Sequence, residues 1–293
     1  MIEETKIKSI KNNIFPHSVN SIKDYQNFDW HKNKDIDTDK IQSSQAVVID
    51  FFGLLKLSPH KDLIINSLFN KSGYEWSIEF EYTDSSVLKE PKSTQIDVII
   101  SNSQNIILIE SKFTENDSGE CSQPTSKPIK QCNGNYEEQI NPKNGLKNKC
   151  ALTAKNIKYW EYIPKIYKFN NIENYCPCPF KDNKYQIMRN LCFGKALSEK
   201  KNIIVENYLI YYEHEICPIH KKILEGNYLD ELTIYLLDKN ALKTLSYNQM
   251  LEKIIYLLNE KDKNECQNWV ELKKWLNNKV ETIKARATSL NKR

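Results

Sequence analysis

Glycine and arginine are the scarce residues of this 293-residue chain. Its 7 glycines include none in a G-x-G-x-x-G or G-x-x-x-x-G-K arrangement. Loops that cradle phosphate with backbone N–H groups need glycine where the chain passes close to the anion, so neither a P-loop nucleotide hydrolase nor a dinucleotide-binding enzyme is expected. Of the 42 basic residues only Arg189, Arg286 and Arg293 are arginine, so the internal Arg189 stands out. Long apolar runs are missing as well. The longest, AVVIDFFGLL, is interrupted by Asp50 and falls short of the roughly 20 residues a membrane span requires. The opening MIEETKIKSIKNN has no apolar core of the signal-peptide kind. A soluble, cytoplasmic protein with no membrane partner is therefore expected.

The chain has a net charge of +4, which permits an anionic partner without announcing one. Hydrophobic content of 40%, with 10 Phe, 5 Trp and 16 Tyr, argues against disorder. A chain of about 300 residues buries roughly 75% of its unfolded surface, enough for one large core. The division expected is a polar N-terminal arm over 1–40, either weakly ordered or a short helix plus linker, and a single domain over 41–293. A homodimer is left open.

Ser43-Ser44 ahead of an apolar run predicts a helix over 44–56, and Ser58-Pro59 predicts a second over 59–69. In Trp76–Thr83 the apolar residues Trp76, Ile78, Phe80 and Tyr82 alternate with Ser77, Glu79, Glu81 and Thr83, the pattern of a half-buried strand. Two more strands are read at 95–100 and 106–113, joined by Ser101-Asn102-Ser103-Gln104-Asn105. The pattern dissolves over about 114–180, which reads as an insertion. A helix at 184–200, a strand at 203–213, a strand at 231–237 and amphipathic helices at 247–260 and 264–284 follow, with Ser246 and Gln249 as a capping box for the first of these two helices. The order predicts an α/β fold, a mixed β-sheet flanked by helices.

Chemistry concentrates in two adjacent strands. Asp97 lies in IDVII, and Glu110 and Lys112 lie in IILIESK, an otherwise apolar segment. Residues two apart on a strand share a face, so Glu110 and Lys112 project together. Burying them among Ile and Leu is costly unless they pair or bind something. A turn centred between Ser103 and Gln104 sets Asp97 directly across from Glu110, on the same face. Two carboxylates and an ammonium are sufficient, in residue type, for Mg²⁺-assisted phosphodiester hydrolysis. A surface hairpin with an ordinary Glu–Lys pair is the bland alternative. Gln186 and Arg189 fall three apart on one helix face, and a guanidinium binds phosphate in a bidentate way that an ammonium cannot. Pairing of Arg189 with a core carboxylate is the alternative there.

Asp97…Glu110-Ser111-Lys112 on successive strands behind a helix resembles the PD-(D/E)XK nuclease superfamily, and ESKFTE, CSQP, CALT, KYWEYIP, CPF and YQIMRN look like one group of bacterial restriction-endonuclease-like proteins. The resemblance spans about 76–200, with an echo in SSQA at 43–46. It implies a restriction-endonuclease-like fold and a DNA substrate, Asp97 and Glu110 as metal-binding carboxylates, Lys112 as the catalytic lysine and Gln186 as the accessory glutamine of the RecB-like branch. Ile96 replaces the proline of the motif. The first helix offers no Glu as an extra metal ligand, leaving Gln45 or Glu81 as substitutes. A fold-mate that binds nucleic acid without cleaving it, and a zinc-stabilised structural protein, are the competing functions.

Cys121, Cys132, Cys150 and Cys178 are candidates for a Cys₄ zinc or iron–sulfur site that would stabilise the insertion, with Cys176 as a substitute for Cys178. Their spacings are not those of a zinc finger. The RecB-like iron–sulfur arrangement, with one Cys ahead of the core, is not matched, because every Cys follows Lys112. Cys192 and Cys266 read as buried small hydrophobes, and Trp269, Leu272, Leu276 and Val280 as the core face of the last helix.

Overall fold

The structure, a computed structural model, describes residues 2–33, 35–90, 93–123, 150–168, 178 and 180–290. It begins with helix α1 (Glu4–Asn12), a 3-10 turn (Pro16–Ser21) and a short hairpin, β1 (Lys32–Asn33) with β2 (Asp35–Ile36). Helices α2 (Ser44–Leu57) and α3 (Lys61–Phe69) follow, then β3 (Ser77–Thr83), α4 (Ser85–Leu88), β4 (Gln95–Ser101) and β5 (Asn105–Lys112). Short helices α5 (Ala151–Ala154) and α6 (Tyr159–Ile166) lie in the region read as an insertion. The chain continues through α7 (Tyr185–Lys201), β6 (Ile204–Tyr211), α8 (Pro218–Leu224), α9 (Tyr228–Thr233), β7 (Leu242–Ser246), α10 (Tyr247–Asn259) and α11 (Lys263–Leu290).

Strands β3 to β7 form one mixed sheet in sequence order. The first three are antiparallel neighbours, and β5, β6 and β7 run parallel. Parallel pairing requires a crossover; α7 lies in the first crossover and α8 with α9 in the second. Side chains alternate across β5, and both sides are covered. Ile107 and Ile109 join an apolar cluster with α2, α3, α10 and α11, whereas Ile106 and Leu108 join one with α4, α6, α7 and α9. All eight residues of β5 are buried. The bland reading of a surface hairpin therefore does not hold.

Helix α2 is buried along most of its length. The Ser43 hydroxyl accepts the N–H of Ala46, capping the helix, and every residue from Gln45 to Leu55 is buried. A helix that is apolar all round needs cover on all sides. The sheet covers one side and the N-terminal segment another. Residues 1–40, expected as a weakly ordered arm or a short helix plus linker, do carry a short helix, α1, but they are packed onto the domain: Ile10, Ile14, Ile22, Tyr25, Trp30 and Ile36 are buried together with Ile49 of α2. These apolar residues are spread thinly through polar sequence and make a core only because α2 presents an apolar outer face to them.

Asp50 closes this layer. Its Oδ1 accepts the N–H of Phe15 (2.6 Å), and its Oδ2 accepts from Trp275 Nε1 (3.0 Å) and Lys279 Nζ (2.7 Å). Lys279 is buried on the same helix, and Trp269, Leu272, Leu276 and Val280 occupy the core as expected. The strand expected over 231–237 is also corrected. Helix α9 runs through Thr233 with Tyr228 and Leu232 buried, and beyond it only Leu236 pairs as strand, in a single antiparallel bridge with Tyr167, while Ile234 and Leu237 are exposed. The strand that completes the sheet is Leu242–Ser246. It ends at the Ser246–Gln249 capping box, which is present.

Removing one member of a buried ion pair strands the other. Lys279→Ala should lower unfolding stability by about 3–5 kcal/mol in urea denaturation, and a loss below about 1 kcal/mol would contradict the role assigned to this pair.

Candidate active site

The turn places Val98 opposite Ile109 and Ile100 opposite Ile107. This is the register expected from a turn centred between Ser103 and Gln104, and it brings Asp97 alongside the end of β5. The Asp97 Oδ2 accepts the backbone N–H of Ser111 at 2.7 Å. Glu110 and Lys112 point toward α7, and the Lys112 Nζ donates to Glu110 Oε1 at 2.8 Å and to Gln186 Oε1 at 3.0 Å. Asp97, Glu110, Lys112 and Gln186 are therefore gathered in one place.

Helix α7 supplies a second amide that the sequence reading missed. Asn190 Nδ2 donates to the other Glu110 oxygen at 2.6 Å. Gln186 and Asn190 are four apart, on one face of α7, so that spacing was the available signal. On the opposite side of β5, Ser111 Oγ and Tyr247 OH share a hydrogen bond at 2.7 Å. The strand is thus held from both layers.

Gln186 is aimed from behind by a turn. Its N–H donates to the Ser118 carbonyl, and the Tyr185 N–H donates to that of Gly119. Gly119 has φ +76°, and a Cβ there would meet Gln186 Cδ at 2.8 Å. A left-handed backbone and a close approach both require glycine.

Glu81 is the other acid of the site. Strict alternation assigns it to the solvent side of β3, yet it is buried. Its φ of +50° accounts for this, because a left-handed residue interrupts the pleat and turns the side chain inward. Such strain costs about 1–2 kcal/mol in a non-glycine residue. Glu81 accepts from Gln45 Nε2 at 2.6 Å and meets His31 Nε2 at 3.3 Å. Ligand atoms of His31, Glu81 and Asp97 lie within 4.8 Å of one another, the group of three metal-type ligands found among the described residues. Gln45 is otherwise engaged: its Oε1 accepts from the His31 N–H and the Thr38 hydroxyl. Of the two substitutes weighed for an extra ligand, Glu81 has the geometry. His31 had no signal in the sequence, since its approach depends on the folding of the N-terminal segment.

The electrostatics are lopsided. Burial, then the neighbouring Glu110 and Glu81, push the Asp97 carboxyl well above the usual range. Burial pushes Glu110 up too, but Lys112 and Arg189 more than offset it and hold Glu110 low. Burial alone would depress Lys112, yet Glu110, Glu115 and Asp97 raise it, so it is an ammonium at neutral pH. Burial likewise opposes the charged form of His31, but Glu81 dominates and takes it up to about 9. Three acids thus face one lysine and one histidine, a donor set that fits a divalent cation.

Arg189 lies over the Tyr185 ring, 6.0 Å from its centroid, and donates from Nη2 to the Gln95 carbonyl at 3.2 Å. Among the described residues it forms no direct salt bridge, but its charge acts at longer range on the buried Glu110 carboxylate and helps hold it low, so the alternative of a core carboxylate partner is met in part. Its Nε is buried without a hydrogen-bond partner. Of the cysteine set, Cys121, Cys150 and Cys178 are half-buried against one apolar cluster. Among the described residues no group of three metal-type ligands includes them, and Cys132, a member of the expected set, and Cys176, the substitute, lie outside the described residues. Cys192 and Cys266 are buried, as read. Among the described residues no helix is long and apolar enough to cross a membrane.

The family model described as Restriction Endonuclease associating with ARP matches residues 3–255. No curated protein and no solved structure matches the chain.

Two outcomes test this geometry. Gly119→Ala should cost about 1–2 kcal/mol of stability in chemical denaturation and displace Gln186 from Lys112; an unchanged denaturation midpoint would contradict it. In EDTA, the stability that His31 gains from Glu81 is complete below the free imidazole value of about 6.5 and is lost as pH rises through about 9. The stability difference between wild type and His31→Gln should therefore be larger at pH 6 than at pH 9.5.

Proposed function

The chain belongs to the family of restriction endonucleases associating with ARP, and we propose that it hydrolyses DNA phosphodiester bonds with Mg²⁺ at Asp97, Glu110 and Lys112. The observation that carries this reading is the Lys112 ammonium held between Glu110 and Gln186 beside the raised Asp97 carboxyl. Asp97 and Glu110 would hold the cation, with Glu81 and His31 as further ligands. When bound, the cation supplies a Lewis acid and an activated water.

The chain's own groups do the rest. Lys112 is protonated at rest, so its first role is to donate hydrogen bonds and positive charge to the oxygens of the phosphate as negative charge builds there. Gln186 fixes the direction of that donation by accepting one of the three ammonium protons. Asn190 and Lys112 take one oxygen of Glu110 each, which fixes the carboxylate plane. Buried walls on both sides of β5 keep bulk water from screening these charges. Association with ARP, as the family description words it, is carried over only as a proposed partnership.

The test is cleavage of supercoiled plasmid and of single-stranded DNA with Mg²⁺. Lys112→Ala and Asp97→Ala should each lower the rate by about 10²-fold or more, with circular dichroism showing that the fold persists, and EDTA should abolish cleavage. Equal residual activity in all three proteins would falsify the assignment.

A further inference from the structure

A cleft of about 430 Å³ opens directly off the proposed reaction centre, within the range of small-ligand sites. Asp97 and Gln186 line both the cleft and the cluster described above, so whatever fills the cleft adjoins the phosphate at Asp97. Leu152 and Ile157 give it an apolar wall, and Tyr185 gives it an aromatic one. Tyr159, itself buried, meets the Tyr185 ring edge-on at 6.2 Å and 85° and fixes its orientation.

Charge in the cleft is arranged for an anion. Glu90 is an acid in its lining, but it is tied internally, accepting from the Thr94 N–H, the Thr94 hydroxyl and the Tyr159 hydroxyl. Arg189 is the opposite case. The described structure gives it one hydrogen bond, to the Gln95 carbonyl, and no ion pair. A guanidinium with uncommitted donors beside a cleft, in a chain that otherwise uses lysine, suits a phosphate bound in a bidentate fashion. Lys155, which donates to Gln123, and His31 also line the cleft and add positive charge.

An aromatic wall, an apolar wall and a guanidinium are the complement of a nucleotide. We infer that this cleft receives one unpaired nucleotide of the strand being cut, its base against Tyr185 and its phosphate on Arg189. The inference rests on the proposed phosphodiester chemistry of the adjoining site. A base within a duplex is stacked and paired and cannot enter such a pocket unless it is extruded, so the preferred substrate is single-stranded DNA or a duplex with an unpaired end.

Binding without metal tests this separately from cleavage. Fluorescence anisotropy in EDTA would compare a single-stranded oligonucleotide, a duplex with a single-stranded tail and a blunt duplex, using the full chain and its Lys112→Ala variant. The first two DNAs should bind about tenfold tighter than the blunt duplex. Tyr185→Ala and Arg189→Lys should each weaken single-strand binding about tenfold and leave blunt-duplex binding within about twofold, while Tyr185→Phe, which keeps the ring, should bind as wild type does. Equal affinity for all three DNAs, a uniform loss across them, or a loss in Tyr185→Phe as great as in Tyr185→Ala would overturn the inference. If the preference appears but wild type does not cleave with Mg²⁺, the hydrolytic reading fails and the nucleotide site stands.

Discussion

The strand Asn105–Lys112 is buried along its whole length and carries an acid and an ammonium in its last three residues. Taking such charges from water costs several kcal/mol each unless partners replace the lost solvation. The neighbouring elements meet that demand. The Lys112 ammonium and the Glu110 carboxylate pair with each other, and Tyr185–Lys201 adds an amide to each. The next strand adds Asp97, whose carboxylate takes the Ser111 N–H. A slip of one residue in this hairpin would turn Glu110 and Lys112 toward the layer of Ser44–Leu57 and Tyr247–Asn259, where the residues facing β5 are largely apolar. Register and site are thus one constraint.

The second layer explains why the first forty residues belong to the same structure. Asp50 draws Phe15, Trp275 and Lys279 onto the central helix, joining both ends of the chain. Gln45, one helical turn earlier, binds the backbone of Asp29 and His31 and the carboxylate of Glu81. Folding of the N-terminal segment therefore delivers His31 to the acids. An imidazole among carboxylates also broadens the metals the site could accept, since oxygen-only sets favour Mg²⁺ and nitrogen suits transition metals.

What the sequence made legible follows the reach of each signal. Period-two alternation and a short turn are local, so the three antiparallel strands and their register could be read, and with them Asp97, Glu110 and Lys112. The cap at Ser43 and the capping box at Ser246 are local too. Glu81 was hidden because alternation assumes an unbroken pleat, and a single left-handed residue cancels it. The Glu231–Leu237 stretch deceived for a related reason. Its β-branched and aromatic residues suggest a strand, but its first residues complete the helix that buries Tyr228 and Leu232, and Leu236 makes only one bridge, to Tyr167, a pairing set by distant neighbours. His31 and Arg189 differ again. Their residue types were visible, but the cleft and the acids that give them meaning are assembled from segments far apart in sequence.

Glycine scarcity takes on a different sense in this light. An anion can be held by backbone N–H groups in a glycine-rich loop or by side chains, and this chain has little of the first resource. The glycine at position 119 serves a different end, leaving room for Gln186 to reach Lys112. Recognition would then rest on groups whose charge the protein must itself stabilise: the acids outnumber their cationic partners near Asp97, while Arg189 has no direct salt bridge among the described residues and acts on Glu110 only at longer range. Opposite imbalances side by side call for different occupants: a cation where carboxylates crowd, and a phosphate where the guanidinium is uncommitted. The proposed nucleic-acid strand with a bound divalent ion would satisfy both at once, because its phosphates can bridge the metal and the arginine. Neither imbalance is relieved by another group among the described residues.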